Sequence, residues 1–471
     1  MLGLRHIEID ASNFLRGMSS GGDISDGGFS PDTEAVNPII EPGVLFAPAA
    51  AADADSDNRL STTIEIIASA PDMANLGVDN RLLVGANSSD DGTFYRYNGT
   101  KIIAAAYATD TTRNYVKGYT DIITYRGEAY VTSQSHIARW QNDNTITQDF
   151  FVFTTSNVPH PALVFEDNAY YGDNNLLLRQ TSVAGTPATI LTLAVGEIII
   201  ALGIEPGSGK MLIATTSSLN MSNTLTSINK LYWYDGSSNK TLKVIYIEDQ
   251  IFGVHSVGGI TYCGYGQNLG YITGSGIKFL RKLINVTLSS EELPYKHNMT
   301  SIGSTLYVAD GNKILAYGPI KQGGENVFYY CARNKVNNLV FQSIFNVGSN
   351  KIGYSFLGEF RTVDFSSSAT LDSFTLITNW LAFPRPVFPR SVYLEYLNQI
   401  ASTDNFTISY TDRNDNGIGL TADPLTQTSV RSVSFIGFRN TDSIRSFRLT
   451  ITNATENDGL IRVIIYYDFA E

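Results

Sequence analysis

The residues best spaced for chemistry are in DRNDNGIGLTAD, Asp412 to Asp423. Asp412, Asn414 and Asn416 alternate ahead of Gly417, and Asp423 stands at the twelfth place. Calcium takes a ring of hard oxygens around a glycine-permitted turn, and this spacing could supply one. The usual bidentate Glu is replaced by the shorter Asp423, and no helical pattern flanks the loop. The other reading is a polar hairpin loop between the strand FTISYT and a later one, with no cofactor at all. Both stay open on the sequence.

Other motifs dissolve under the same test. GIEPGSGKM resembles a phosphate loop, but its first Gly is one place early and Met211 stands where Ser or Thr would hold magnesium. GYGQNLG, from Gly264, has one residue too many for a dinucleotide fingerprint and lies among strands. SSDDGTFYR resembles an Asp-box turn, with Tyr95 where Trp or Phe is expected, and no arginine cluster accompanies it. His6, His136, His160, His255 and His297 are scattered without metal-ligand spacing. Cys263 and Cys331 read as two ordinary buried thiols. Nothing here builds an active site, and the expectation is a non-enzyme.

The elements that would carry any site are strands. Tyr, Phe, Asn, Thr and Gly dominate, charged residues are only 17%, and no long helical period appears. A hairpin phrase recurs as LLVGANSSDDGTFYRYNG, AYVTSQSHIARWQ, AYYGDNNLLLRQ, MLIATTSS, TYCGYGQNLGYITG, LYVADGNKILAYG and KIGYSFLGEFRTVDF. Its equivalent residues are Val84, Val131, Tyr171, Ile213, Cys263, Val308 and Ile352, spaced by 47, 40, 42, 50, 45 and 44. Such a period, all strand and turn, is what a four-stranded propeller blade requires. One small sheet exposes two edges; packing several face to face around an axis buries both faces of each. Asp235–Gly236, Asp310–Gly311 and Gly207–Lys210 supply turns. The expected fold is all-β: a β-propeller of about seven blades over residues 59–367, with an extended N-terminal arm and a C-terminal β-sandwich.

Residues 1–58 are rich in Gly, Pro, Ser and Asp, yet carry Phe14, Leu15, Phe29, Ile39, Leu45 and Phe46. A solvated tail has no need of these side chains, so we expect an extended arm that contacts the body or a neighbouring subunit. Residues 368–471 hold alternating strands such as FRLTITN, in which Phe447, Leu449 and Ile451 point one way. Their number and length suit a β-sandwich. FPRPVFPR, Phe383 to Arg390, has three prolines and reads as a stiff crossing or edge segment rather than a central strand.

The formal net charge is −12 and the pI about 5.0. A protein that grips nucleic acid is normally basic, whereas an acidic surface lets DNA slide past. The N-terminus lacks the apolar core of a signal peptide, and no stretch is apolar enough for a membrane span. An extracellular-looking composition without an export signal fits a virion component made in a host cytoplasm and released by lysis.

Taken together, FLRGMSSGGDISDGGFSPDTEAVNP and PGVL in the arm, the propeller repeat, and YTDRNDNG with IRSFRLTIT near the C-terminus resemble the β-propeller tail proteins of tailed bacteriophages, especially the tail hub or nozzle proteins of short-tailed phages. The resemblance covers nearly the whole chain in layout. It implies a structural virion protein in a homo-oligomeric ring, typically a hexamer, around the DNA channel. Partners would be an adaptor above and fibres or a needle below, with DNA passing unbound during ejection. Two other classes stay in view. One is a receptor- or carbohydrate-binding tail component, which exposed aromatics around Trp140 or Tyr232–Trp233–Tyr234 would support, although the alternation in KLYWYDG reads these as blade core; the other is a polysaccharide hydrolase, which needs facing carboxylates.

Overall fold

A computed structural model describes residues 5–9, 52–54, 65–70, 81–86, 91–102, 108–115, 119–141, 145–219, 227–283, 298–319, 324–333, 343–348, 350–356, 359–365, 374–378, 380–400, 406–412, 417–422, 430–436, 444–453 and 460–470. Every element among them is a strand, as the β-branched and aromatic composition requires. Two compact units are present. One comprises Ala52–Asn312 with Lys335–Thr362; the other comprises Met1–Ala51, Lys313–Asn334 and Val363–Glu471.

Among the described residues, seven of the eight sheets are four-stranded. Numbered in chain order, the blades begin with the strands Glu65–Ser69, Asp121–Tyr125, Ala162–Phe165, Ile198–Glu205, Ile251–Val257, Met299–Ile302 and Ser343–Asn346. Each of these first strands touches the first strand of the next blade, and that of blade 7 touches that of blade 1, so they form a closed inner ring. This is the expected β-propeller. The seven repeat residues, from Val84 to Ile352, all fall in the second strand of a blade and all are fully buried. The period in the sequence therefore measures the blade, and its anchor is a buried residue of the second strand.

Blade 7 is completed from the far end of the chain. Ala52–Asp53 supplies its fourth strand, with Ala52 opposite Thr362 and Asp53 opposite Arg361. Ala54 then donates to Phe360 O at 2.9 Å and accepts from Ile102 N at 2.9 Å, so it bridges blades 7 and 1. It is fully buried with Leu83, Tyr95, Tyr97, Phe345 and Phe360. Joining segments so distant in sequence is what closes such a ring against opening.

The remaining sheet has eight strands in the order Arg5–Ile9, Leu460–Phe469, Leu381–Ile400, Val430–Ile436, Gly417–Ala422, Phe406–Asp412, Ile444–Asn453 and Phe374–Ile377. The 20-residue strand Leu381–Ile400 also pairs with Ile444–Asn453. Its hydrogen bonds therefore complete a circuit, and the sheet wraps around Leu394, Ile408, Phe447, Leu449, Ile451 and Val463. Phe447, Leu449 and Ile451 alternate inward as the pattern requires. The proline segment belongs to the long strand, not to a separate crossing. Its prolines sit where the ladder shifts register, between Ala382 and Val387 and between Pro389 and Ser391, which is where missing N–H groups are tolerated.

Within residues 1–58 the described parts are two strands. Arg5–Ile9 pairs with Leu460–Phe469, and Ala52–Asp53 pairs in blade 7. Phe14, Leu15, Phe29, Ile39, Leu45 and Phe46 lie outside the described residues.

Candidate functional site

The charged side chains inside the propeller are the first place to look for chemistry, and each is tied to a structural partner. Asp173, at the end of the second strand of blade 3, accepts from Thr154 N at 2.8 Å, Thr154 Oγ1 at 2.6 Å and Thr155 N at 3.1 Å. Asp121 opens blade 2 and accepts from Ala162 N of blade 3 at 2.6 Å. Between these two blades His160 is fully buried, stacked on Phe153 with 3.7 Å between ring centroids. Its Nδ1 meets Gly172 O at 2.9 Å and its Nε2 meets Gln134 O at 3.1 Å. Burial lowers its pKa despite those carbonyls and the nearby Asp173.

Two further carboxylates are neutralised within their own blades. Glu128 is held by Arg139 through Nε–Oε2 at 2.5 Å and Nη2–Oε1 at 3.1 Å. Glu197 pairs with Lys230 and accepts from Tyr232 Oη at 2.8 and 2.9 Å. Burial first, then the Glu197 carboxylate, pushes Tyr232 up to about 12. A glycosidase needs two carboxylates facing one space across a scissile bond. Glu128 and Glu197 are instead each engaged with a cation, in separate blades.

The remaining expectations resolve by position. GIEPGSGKM is the hairpin turn between strands Ile198–Glu205 and Lys210–Thr216, with Glu205 opposite Lys210 and Gly209 at φ +62°. GYGQNLG is the turn before strand Asn268–Thr273, with Gly266 at φ +51°. The Asp235–Gly236 turn docks blade 4 on blade 3: Gly236 O accepts from Tyr170 Oη at 3.0 Å and from Arg179 Nη1 at 3.3 Å. Asp235 is drawn down to about 2 by the backbone N–H groups of Ser238 and Ser237. Cys263 and Cys331 are free and buried, and burial pushes both thiols far up.

In the proposed calcium loop, Asp412 ends one strand and Gly417 begins the next, with Thr411 opposite Gly417. The segment thus connects a hairpin. Asn414, Asn416 and Asp423 lie outside the described residues. No cluster of three His, Cys, Asp or Glu with metal-binding geometry occurs among the described residues.

Trp140, Tyr232, Trp233 and Tyr234 are all buried in blade cores, so the aromatics singled out from the sequence offer no binding platform. Sequence reasoning missed the surface that is exposed. Six of the eight exposed large hydrophobics among the described residues fall between Ile228 and Phe279. Leu242 and, in the fourth strand of blade 4, Lys243–Ile247, Val244 and Tyr246 are exposed, with Tyr246 at 73%. Phe279, in the fourth strand of blade 5, Gly276–Lys282, is 60% exposed. The ladder sets Tyr246 opposite Lys230 and Val244 opposite Tyr232. Lys230 Nζ lies 5.4 Å from the Tyr246 ring, and Lys243 Nζ lies 4.6 Å from the Trp233 ring. These two strands carry Lys243, Lys278, Arg281 and Lys282 and no acidic residue. Among the described residues a fourth strand has no neighbour on its outer side within its sheet, and an edge of this kind is where a further strand can pair.

No protein-family model and no curated protein matches this chain. Among solved structures it is similar to "YCF48 bound to D1 peptide" at 12% identity and TM-score 0.46, covering 71% of this chain and 99% of that one. A second is "BBS1N in complex with ARL6DN", at 13% identity and TM-score 0.42, covering 69% and 99%. A third is the extracellular domain of the putative hybrid two component system BT4673 from B. thetaiotaomicron, at 11% identity and TM-score 0.41, covering 79% and 46%. Likeness at this level carries no function to this chain.

Proposed function

We propose that this chain is a non-catalytic structural protein of a tailed-phage virion, forming part of a tail hub or nozzle ring around the DNA channel and docking other tail proteins. The observation that carries an assembly role is the exposed apolar edge of blades 4 and 5 on a propeller whose buried charges are already engaged. Val244 and Tyr246, two residues apart on one face of an outermost strand, are an exposed apolar pair suited to contact with another protein. The phage-tail assignment rests on the resemblance in layout, arm then propeller then C-terminal strands. The net charge of −12 suits a conduit that does not hold its cargo.

The test is to image the purified protein by negative stain and to pass DNA over the same protein immobilised. Closed rings with a central channel that do not retain DNA at moderate salt are expected. Tight retention of DNA, or specific capture of a polysaccharide in a glycan screen, would contradict the proposal.

A further inference from the structure

Two buried amide oxygens where blade 4 passes into blade 5 have no hydrogen-bond partner among the described residues: Asn229 Oδ1 and Gln250 Oε1. Both residues are 1% exposed. Burying an acceptor unmet costs free energy, so each oxygen calls for a donor or a cation. Turning the amides does not relieve this. Asn229 Nδ2 donates to Glu248 O at 3.3 Å and to Ser227 Oγ at 3.2 Å. Gln250 Nε2 donates to Ser218 O, and to Thr216 Oγ1 at 3.1 Å. A flip would set an amide oxygen against the Glu248 or the Ser218 carbonyl.

The two amides belong to one place. Asn229 stands opposite Thr216 where strands Lys210–Thr216 and Asn229–Tyr234 pair, and Gln250 reaches that same Thr216. Through Glu248 O, Asn229 also holds the link Glu248–Asp249–Gln250, which joins Lys243–Ile247 to Ile251–Val257. The link brings two adjacent carboxylates, Glu248 exposed and Asp249 half-buried. Neither forms an ion pair among the described residues, whereas Glu128 and Glu197 are each met by a basic side chain. Water can donate to the amides, but an uncompensated acidic pair beside them favours a cation.

We propose that Asn229, Gln250 and the Glu248–Asp249 pair form a site for a hard divalent cation of the calcium class. The amide oxygens supply buried neutral ligands, the carboxylates supply charge, and solvent waters complete the shell. Bound there, the ion ties the third strand of blade 4 to the link that enters blade 5. Magnesium keeps its waters and demands a tighter octahedron, so it fits poorly.

The experiment uses the full chain carrying Asp412→Asn/Asp423→Asn, so that the C-terminal loop contributes no calcium binding. Calcium chloride is titrated by calorimetry, and melting is followed by circular dichroism in calcium and in EDTA. Uptake half-saturated at about 0.1–1 mM is expected, with a higher melting temperature in calcium. Adding Glu248→Gln/Asp249→Asn should weaken uptake about tenfold or more and remove the calcium-dependent rise in melting temperature. Those carboxylates hold no ion pair, so melting in EDTA should match the parent chain. Asn229→Ala/Gln250→Ala should lose uptake too; if that variant fails to fold, the carboxylate variant still decides.

A parent chain that takes up no calcium would overturn the inference and leave the amides to ordered water. Uptake unchanged in Glu248→Gln/Asp249→Asn would overturn it as well. An equal rise in melting temperature with magnesium chloride would contradict the calcium class.

Discussion

The propeller and the C-terminal sheet solve one problem in two ways. The propeller must hold separate sheets against one another, and its faces meet through Leu, Ile, Val and Tyr, whose packing is non-directional. Direction comes from buried polar contacts between blades, among them Asp121 to Ala162, His160 between Gln134 and Gly172, and Tyr170 to Gly236. The C-terminal strands form one hydrogen-bonded sheet that returns on itself through Leu381–Ile400. There the backbone ladder fixes register, and the ion pairs Arg390–Asp468 and Arg462–Glu8 lie at the surface. Buried polar contacts between sheets therefore supply direction where no backbone ladder runs.

The comparison can be broken by substitution. In the C-terminal sheet the apolar core should dominate: Leu449→Ala, at a fully buried position, should cost about 2–5 kcal/mol by denaturant titration. In the propeller the polar contacts should matter nearly as much. Asp173→Ala orphans two backbone N–H groups and the Thr154 hydroxyl, and should cost about 2–3 kcal/mol in the same titration. A loss below about 0.5 kcal/mol would show that packing alone positions blade 3.

A titration sharpens the same point between blades 5 and 6, where His255 Nε2 meets Ser301 Oγ at 2.9 Å. Burial lowers His255 to about 4, so the folded chain keeps it neutral while the unfolded chain protonates below about 6.5. Its stabilising share is complete above that value and is lost as pH falls toward 4. His255→Gln should flatten the melting-temperature profile between these limits, a difference of about 3 kcal/mol at most. The smallest effect belongs to the C-terminal surface. Arg390→Ala breaks a pair with both side chains at least 36% exposed, and should change stability by less than about 1 kcal/mol.

These contrasts explain what the sequence could reveal. The repeat was legible because one buried residue in each second strand recurs at the length of a blade, and all seven proved fully buried. Ala52–Asp53 was not, since a two-residue strand inside AAAADADSDN has no alternation to read. Nor were the inter-blade contacts, because Tyr170 and Gly236 are 66 residues apart and only folding brings them together. The edge of blade 4 was hidden for a different reason. KVIYI spells a core strand, and only its place as the fourth strand of its sheet leaves Val244 and Tyr246 exposed. Tyr232–Trp233–Tyr234, one strand further in, reads as blade core from the alternation in KLYWYDG, and it is core.

The central functional claim is that the outer edge of blade 4 is an assembly surface while the equivalent edge of blade 3, Ala188–Thr192, is not. Hydrogen exchange on the full chain, followed peptide by peptide at dilute and concentrated protein, tests this most directly. The account predicts that amides of Lys243–Ile247 become protected as concentration rises, with those of Ala188–Thr192 unchanged. Identical exchange of Lys243–Ile247 at both concentrations would contradict it.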